Sequence, residues 1–487
     1  MQAGKTALPF KLSALAGIAA AGMLAMLGSC ATNPVSGNPE LVLMSEAQEL
    51  LLGRGADQDV KKQYALYDHK GLQAWIEGLG QKLSRGSHRP GLDYRFTLLD
   101  SPEVNAFALP GGYVYITRGI LVYLNSEAEV AAVLAHEIGH VTARHSVRQM
   151  TAQTGTSVLL GLLGAVSPAV RASGAQNLGG LVGNALLAGY GRDHELEADR
   201  LGAEYLARAG YDPQAMIRVI GVLKNQELFD AEQAKREGRE PQRYHGVFAS
   251  HPDNDTRLKE VVAAANTLRS GIGTDERAAY LARTDGMVFG DSAREGVRRG
   301  ASFYHTELGF ALQAPAGWRL QNLPDRLRVV APGGGTALEI VTDKKPNEDP
   351  AAVLRRVTRG AATDIDMSPV NGLQAARTEL RGRQLAVVYL ANSAFLFSGA
   401  AQNEEAFRRN ADGLRQAVRS FHALSAEERK LARPLTLKLV KAEAATRFAA
   451  LSPASPLGGT AEGWLRLINA MYPSGEPSPG QPLKIVE

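Results

Sequence analysis

Cysteine is almost absent: Cys30 is the only one in 487 residues. No intramolecular disulfide can form, and no zinc site built from thiolates is available. Excess charge is scarce as well. The formal balance of +4 falls to +2 once Lys5 and Lys11, the only charged residues before Cys30, are set aside. So small an excess gives no basis for nucleic-acid binding. In the middle of the chain the apolar runs Leu159 to Val170 and Leu178 to Leu187 both stop short of the roughly 20 residues that a bilayer span requires. The run Gly333-Gly334-Gly335 is followed by no Lys-Ser/Thr, which excludes a phosphate loop. With 21% charged and 45% hydrophobic residues the composition is that of a globular protein, and its length suits about three domains.

What the chain does carry is the run Ala131 to His140, Ala-Ala-Val-Leu-Ala-His-Glu-Ile-Gly-His. Histidines four apart on a helix lie one above the other on one face, so the imidazoles of His136 and His140 can reach one metal ion. Glu137 is a carboxylate placed to take a proton from a water that the metal activates. Three specified residues can coincide by chance, but the setting argues against it. Ser126 with Glu129 three residues on predicts a capping box, and Val130, Val133, Leu134, Ile138 and Val141 form the apolar stripe of a core helix. Two histidines and a glutamate in such a helix are costly without partners.

A catalytic zinc site needs a third protein ligand, usually from a second helix downstream. The segment Asp193-His-Glu-Leu-Glu-Ala-Asp-Arg200 offers Glu195 and Asp199 at the same i, i+4 spacing. Glu195 is expected to bind the metal while Asp199 accepts a hydrogen bond from the far ring nitrogen of a liganding histidine. Glu197, two positions on, should face away from Glu195; His145 falls about 140° off the ligand face and His194 about 100° from Glu195. The expected centre is one zinc ion per chain on His136, His140 and Glu195, with Glu137 as general base.

The block Asn105-Ala-Phe-Ala-Leu-Pro-Gly-Gly-Tyr-Val-Tyr-Ile-Thr117, the His136 helix with Val-Thr-Ala-Arg-His145 behind it, and the Glu195-Leu-Glu-Ala-Asp199 segment follow in an order and spacing that resembles the HtpX-like, CAAX-protease-related family of zinc metalloendopeptidases (gluzincins). The similarity spans about residues 33 to 270 and is strongest to periplasmic, BepA-type members. It implies an α+β fold: a mainly helical zincin-type domain with a small β-sheet. It also implies zinc-dependent hydrolysis of misfolded or stalled cell-envelope polypeptides. Asn105, Ala106 and Phe107 are implied as main-chain contacts to an extended substrate on a sheet edge, the alternative being a turn that needs glycine for positive φ. His251 is implied as a self-inhibitory zinc ligand or a transition-state hydrogen-bond donor, against a plain helix-capping role. Tyr190, Tyr244 and His245 are weaker candidates for stabilising an oxyanion. No tetratricopeptide period is visible, which departs from BepA itself.

The N-terminal stretch, residues 1–29, combines Lys5, Lys11, an uncharged run from Leu12 to Leu27 and small residues before Cys30, as a secretory signal does. Leu27-Gly-Ser-Cys30 resembles a bacterial lipobox, which implies lipidation of Cys30. Ala31 in the next position implies sorting to the outer membrane of a Gram-negative cell. Residues 30–44 would then be a lipid-anchored linker and 45–290 the metalloprotease domain. In that domain Gly71 to Leu83 reads as a helix, Tyr94 to Leu99 and Tyr113 to Thr117 as strands, and Pro213 to Leu228 as a helix followed by an exposed charged stretch, Asp230 to Arg243. Thr151 to Gly191, with Arg171 its only charge, is a buried hairpin, a lid over the cleft, or a surface dipping into lipid. Residues 300–425 alternate strand and helix patterns, a smaller α+β domain. Residues 434–487 read as a strand, two helices and a strand, and Asn469 with the closing Pro-Gly-Gln-Pro-Leu-Lys-Ile run resembles a LysM cell-wall module. The expected partners are envelope polypeptides, a membrane reached through the lipid anchor, and peptidoglycan. The competing class is an envelope chaperone, assembly or wall-tethering factor whose protease is largely silent.

Overall fold

The computed structural model describes residues 30–42, 44–152, 190–237, 276–323 and 325–487, and its architecture is mixed, α+β. A short antiparallel hairpin, β1 (Cys30–Thr32) and β2 (Pro39–Leu41), leads into helix α1 (Glu46–Gln63). A reciprocal capping box between Ser45 and Gln48 starts α1, because each side chain satisfies an amide that the first turn leaves open. Helix α2 (Lys70–Ser84) buries Leu72, Ile76, Leu79 and Leu83 along one side, matching its 3.6-residue apolar period.

Three strands follow, β3 (Arg95–Leu99), β4 (Ala106–Leu109) and β5 (Tyr113–Thr117), in the order β3-β5-β4. β3 runs parallel to β5, whereas β4 and β5 are an antiparallel hairpin turned at Gly111 and Gly112. These two glycines sit at φ +82° and +96°, where a side chain is strained, so the tight return depends on them. β4 is left at one edge of this sheet.

After the short helix α3 (Arg118–Tyr123) comes α4 (Glu127–Thr142), buried on all faces from Ala128 onward. Ser126 caps it as expected by accepting the Glu129 amide. The reciprocal contact differs: Glu129 takes the amide of Asn125, one residue before the cap, at 2.6 Å. Helix α5 (Arg192–Arg208) crosses α4, and α6 (Ala215–Glu237) packs beside both.

α6 continues nine residues beyond Leu228, where an exposed charged stretch was expected. The reason is tertiary. Phe229 packs edge-on against Trp464 at 4.8 Å between ring centres, and the Tyr472 hydroxyl donates to Glu232 at 2.7 Å. The charged residues form only the outer face of a helix whose inner face is covered from far along the chain.

Helix α7 (Arg277–Thr284) and strand β6 (Val288–Phe289) close this part. A second core follows. Strands β7 (Val297–Arg299), β8 (Ser302–His305) and β9 (Phe310–Gln313) pair in sequence. Beside them lies a six-stranded antiparallel sheet made from β10 (Arg319–Leu323), β11 (Arg326–Val330), β12 (Thr336–Lys344), β13 (Ala375–Leu380), β14 (Arg383–Leu390) and β15 (Ser393–Ala401). Its order is β10-β11-β12-β15-β14-β13. Helix α8 (Pro350–Val357) contributes Val353 and Leu354 to one apolar cluster on this sheet, and α9 (Glu404–Ser420) contributes Phe407, Leu414 and Val418 to another. Pro332 to Gly335 connects β11 to β12, as its turn composition predicts. The short strand β16 (His422–Ala423) pairs back onto β9.

The last segment is β17 (Leu435–Lys441), two short helices, α10 (Phe448–Leu451) and α11 (Ala461–Ile468), and β18 (Pro482–Val486). β17 pairs with both β18 and β6, so this segment and the N-terminal part share a sheet. They share a core as well: Leu437, Phe448, Leu465, Ile468 and Leu483 lie in the same apolar cluster as Val130, Leu134 and Ile138. Among the described residues no helix is long and apolar enough to cross a membrane.

Candidate metal centre

Two glycines bring α4 and α5 into backbone contact. A β-carbon added to Gly139 would lie 2.9 Å from the Ala198 carbonyl oxygen, and one added to Gly202 would lie 3.1 Å from the His136 nitrogen. At that separation the histidine face of α4 and the carboxylate face of α5 meet. The expected result of Gly139→Val is a loss of about 1–3 kcal/mol of stability together with weakened zinc binding, because the helices must part. Thermal unfolding and zinc titration of the same preparation check it.

The His136 and His140 Nε2 atoms are 3.0 Å apart, and the Glu195 oxygens lie 3.6 Å from the first and 3.5 Å from the second. All three residues are buried, and their ligand atoms lie within 4.8 Å of one another. Nitrogen ligands about 2.0–2.1 Å from a tetrahedral zinc lie roughly 3.3 Å apart, so the spacing fits an ion at their midpoint. Two imidazole nitrogens facing each other with a carboxylate, out of water, are an arrangement that a divalent cation stabilises.

The outer partners of the two histidines differ. His136 Nδ1 lies 2.8 Å from Asp199 Oδ1, one turn beyond Glu195. His140 Nδ1 lies 2.8 Å from His145 Nδ1; His145 Nε2 is 3.1 Å from Glu197 Oε2, and Arg148 donates to that same oxygen at 2.8 Å. Neither His145 nor Glu197 belongs to the ligand cluster, but His145 lies against His140, which extrapolation along the helix does not foresee. Extrapolating at 100° per residue requires the helix to continue, but α4 ends at Thr142 and Arg144 turns left-handed at φ +54°. The chain doubles back and lays His145 against His140.

That turn is clamped from α1. Glu49, 1% exposed, accepts from Arg144 Nε and from Arg89 Nη1, each at 2.8 Å, and Arg144 also donates to the Met44 carbonyl. No local sequence signal pairs Glu49 with an arginine 95 positions away. The hydrogen bond from His145, followed by Arg148, holds the Glu197 carboxyl down at about 2 despite burial. Burial lowers His145, and burial with the nearby His145 and Arg148 brings His194, stacked on His145 at 4.3 Å, down to about 4.

Tyr190 stacks on the His140 ring at 4.1 Å and shares a 2.6 Å hydrogen bond with Ser146. Burial raises its phenol well above the usual range, and the carboxylates of Glu137 and Glu195 add to this. Glu137 is 2% exposed. The Asn105 carbonyl accepts the Thr117 amide at 3.0 Å, while its buried side-chain oxygen has no hydrogen-bond partner among the described residues. Ala106 and Phe107 lie on edge strand β4, and Phe107 stacks on Tyr115. A small pocket opens between β4 and the end of α4, lined by Ala108, Pro110, His140, Val141 and Tyr190. Cys30 lies in β1, paired with Leu41. His251, Tyr244 and His245 lie outside the described residues, as do 1–29 and nearly all of the Thr151–Gly191 stretch.

A buried His-Glu-x-x-His helix whose histidines converge with a glutamate from a second helix defines a metallopeptidase-type centre. Residues 71–265 match the model of Peptidase family M48. The chain is similar to the beta-barrel assembly-enhancing protease of Escherichia coli (strain K12), 29% identical over 386 residues that cover 74% of this chain and 75% of that protein. It is also similar to the putative beta-barrel assembly-enhancing protease of Vibrio cholerae, 35% identical over 178 residues, or 35% of this chain and 36% of that one. The mitochondrial metalloendopeptidase OMA1 of Arabidopsis thaliana matches at 29% identity over 246 residues, 46% of each chain.

Proposed function

We propose that the protein is a zinc-dependent endopeptidase of the Gram-negative cell envelope, acting on misfolded or stalled polypeptides. The observation that carries this reading is the convergence of His136, His140 and Glu195, with Glu137 in the same turn of α4. Those three residues would hold one zinc ion, which supplies Lewis acidity that makes water more acidic and a carbonyl carbon more electrophilic. Glu137 is the general base: it takes the proton of the attacking water and passes it to the leaving amine. Asp199 orients His136 by accepting from Nδ1.

The substrate lies extended along the β4 edge of the sheet at Asn105, Ala106 and Phe107; the Asn105 amide and carbonyl already bond Thr117, which leaves the Asn105 side chain to meet the peptide. The side-chain oxygen of Asn105, without a partner among the described residues, supports this, since an acceptor left buried is costly until a peptide amide reaches it. The hydroxyl of Tyr190 is engaged by Ser146, which disfavours it as the oxyanion donor. His251 remains the proposed donor or self-inhibitory ligand on the strength of the family resemblance.

Cys30 is proposed as the lipidation site that places the chain at the periplasmic face of the outer membrane. Glu40, on the strand paired with that of Cys30, bonds Arg148 at 2.8 Å, which ties this hairpin to the neighbourhood of the metal centre. The strand-helix-helix-strand order of the last segment is compatible with a LysM-like peptidoglycan contact, proposed through its outer face. An unfolded casein probe tests the central reading. Cleavage is expected with zinc, loss after removal of the metal by a chelator, and recovery on adding zinc back. Undiminished cleavage by metal-free protein would remove the assignment.

A further inference from the structure

We infer that His145 and Glu197 are positioning residues that fix the tautomer of His140 and so ready its Nε2 for the metal. The inference deepens the zinc reading above and rests on it. It follows from which atoms can donate. The Glu197 carboxylate, held by Arg148 at 2.8 Å, can only accept, so the His145 nitrogen 3.1 Å away must carry its proton on Nε2. A neutral ring then presents a lone pair at Nδ1. The atom facing that lone pair at 2.8 Å is His140 Nδ1, which must therefore be the protonated one. His140 Nε2 is left as a lone pair, aimed at the space shared with His136 Nε2 and Glu195.

The opposite arrangement puts a bare His145 Nε2 against a carboxylate oxygen, two acceptors at 3.1 Å with no proton between them. With both rings neutral the relay admits one proton order, and it is the order that zinc requires. At His136 a carboxylate stands in the corresponding place, with Asp199 Oδ1 2.8 Å from Nδ1. Burial keeps the relay free of competing water: His145 has no exposed surface, and the Glu197 side chain is 19% exposed. The stacked ring of His194 covers one face of His145.

The test uses the full chain, stripped of metal, and zinc ion alone as the probe in competition with a chromophoric chelator. His145→Phe and Glu197→Ala are expected to weaken zinc binding by 10–100-fold, the usual effect of losing an outer partner, with Glu197→Gln, which keeps an acceptor oxygen, losing less. Nitrogen-15 spectra of the histidine rings in the metal-free protein give the second readout. His140 is expected as the Nδ1–H tautomer in the wild type and as a mixture in Glu197→Ala. A merely structural role would lower the melting temperature without moving the tautomer. If His145→Phe does not fold, Glu197→Ala, changed at a partly exposed site, carries the test. Folded variants that bind zinc as the wild type does, with the same His140 tautomer, overturn the relay. A wild-type protein that binds no zinc overturns the metal reading instead.

Discussion

Glu137→Gln is expected to abolish measurable proteolysis while leaving zinc content and fold intact. The amide matches the carboxylate in shape, so the packing around this buried position is kept, but it can neither accept nor return a proton at neutral pH. General acid-base catalysis contributes about 100- to 10,000-fold, and the loss should fall in kcat, since the zinc ligands and the β4 edge are untouched. Metal analysis and far-ultraviolet circular dichroism on the same sample separate lost chemistry from a lost site. A variant that cleaves casein at the wild-type rate would take Glu137 out of the reaction and favour a scaffold whose protease is silent. The same variant also separates the two roles in cells: if it supports envelope integrity as well as the wild type does, peptide hydrolysis is not what the cell needs from this chain.

The ligand set was legible because it obeys a local rule. His136 and His140, like Glu195 and Asp199, are four apart on helices, and helical geometry decides which atoms share a face. What the sequence left open was set by contacts between distant elements. His145 was set aside by a correct rule applied one turn too far, since the left-handed residue Arg144 lies past the end of α4 and nothing in Ala-Arg-His announces it. The left-handed conformation is held from outside, by Glu49 on α1. Gly139 carries no ligand atom, yet it decides how closely α5 approaches. The extension of α6 through Glu237 depends on Trp464 and Tyr472, more than two hundred residues later. The hairpin at Gly111-Gly112 and the turn at Pro332 to Gly335 were legible for the converse reason: both are fixed by backbone freedom that composition reveals.

A chain ending at Arg433 should fail to form a stable peptidase. The last segment was expected to stand apart as a module of its own, in which case its removal would cost the catalytic part little. Its packing argues otherwise. Leu437, Phe448, Leu465, Ile468, Leu483 and Val486 are each at most 4% exposed, and they bury against the residues that hold α4 in place. At about 1.5–3 kcal/mol for each side chain buried, removing six takes away roughly 9–18 kcal/mol. The whole stability of a domain is about 5–15 kcal/mol.

Polar contacts point the same way. The Lys484 Nζ, with no exposure, donates to the Val122 and Leu124 carbonyls at 2.5 and 2.7 Å, the open end of the short helix before α4. Asn469 bonds the Lys484 backbone on both its amide and its carbonyl, which fixes the strand that delivers this side chain. Lys484→Met should therefore be destabilising on its own, by about 1–3 kcal/mol for carbonyls left buried and unpaired, although it keeps most of the apolar stem. Urea unfolding of the full chain, the Lys484→Met chain and the chain ending at Arg433 tests the argument directly. Full midpoint and full casein cleavage in the shortened chain would show that the module is dispensable to the peptidase; a soluble yield near zero, with a midpoint lowered by Lys484→Met, is what a shared core requires.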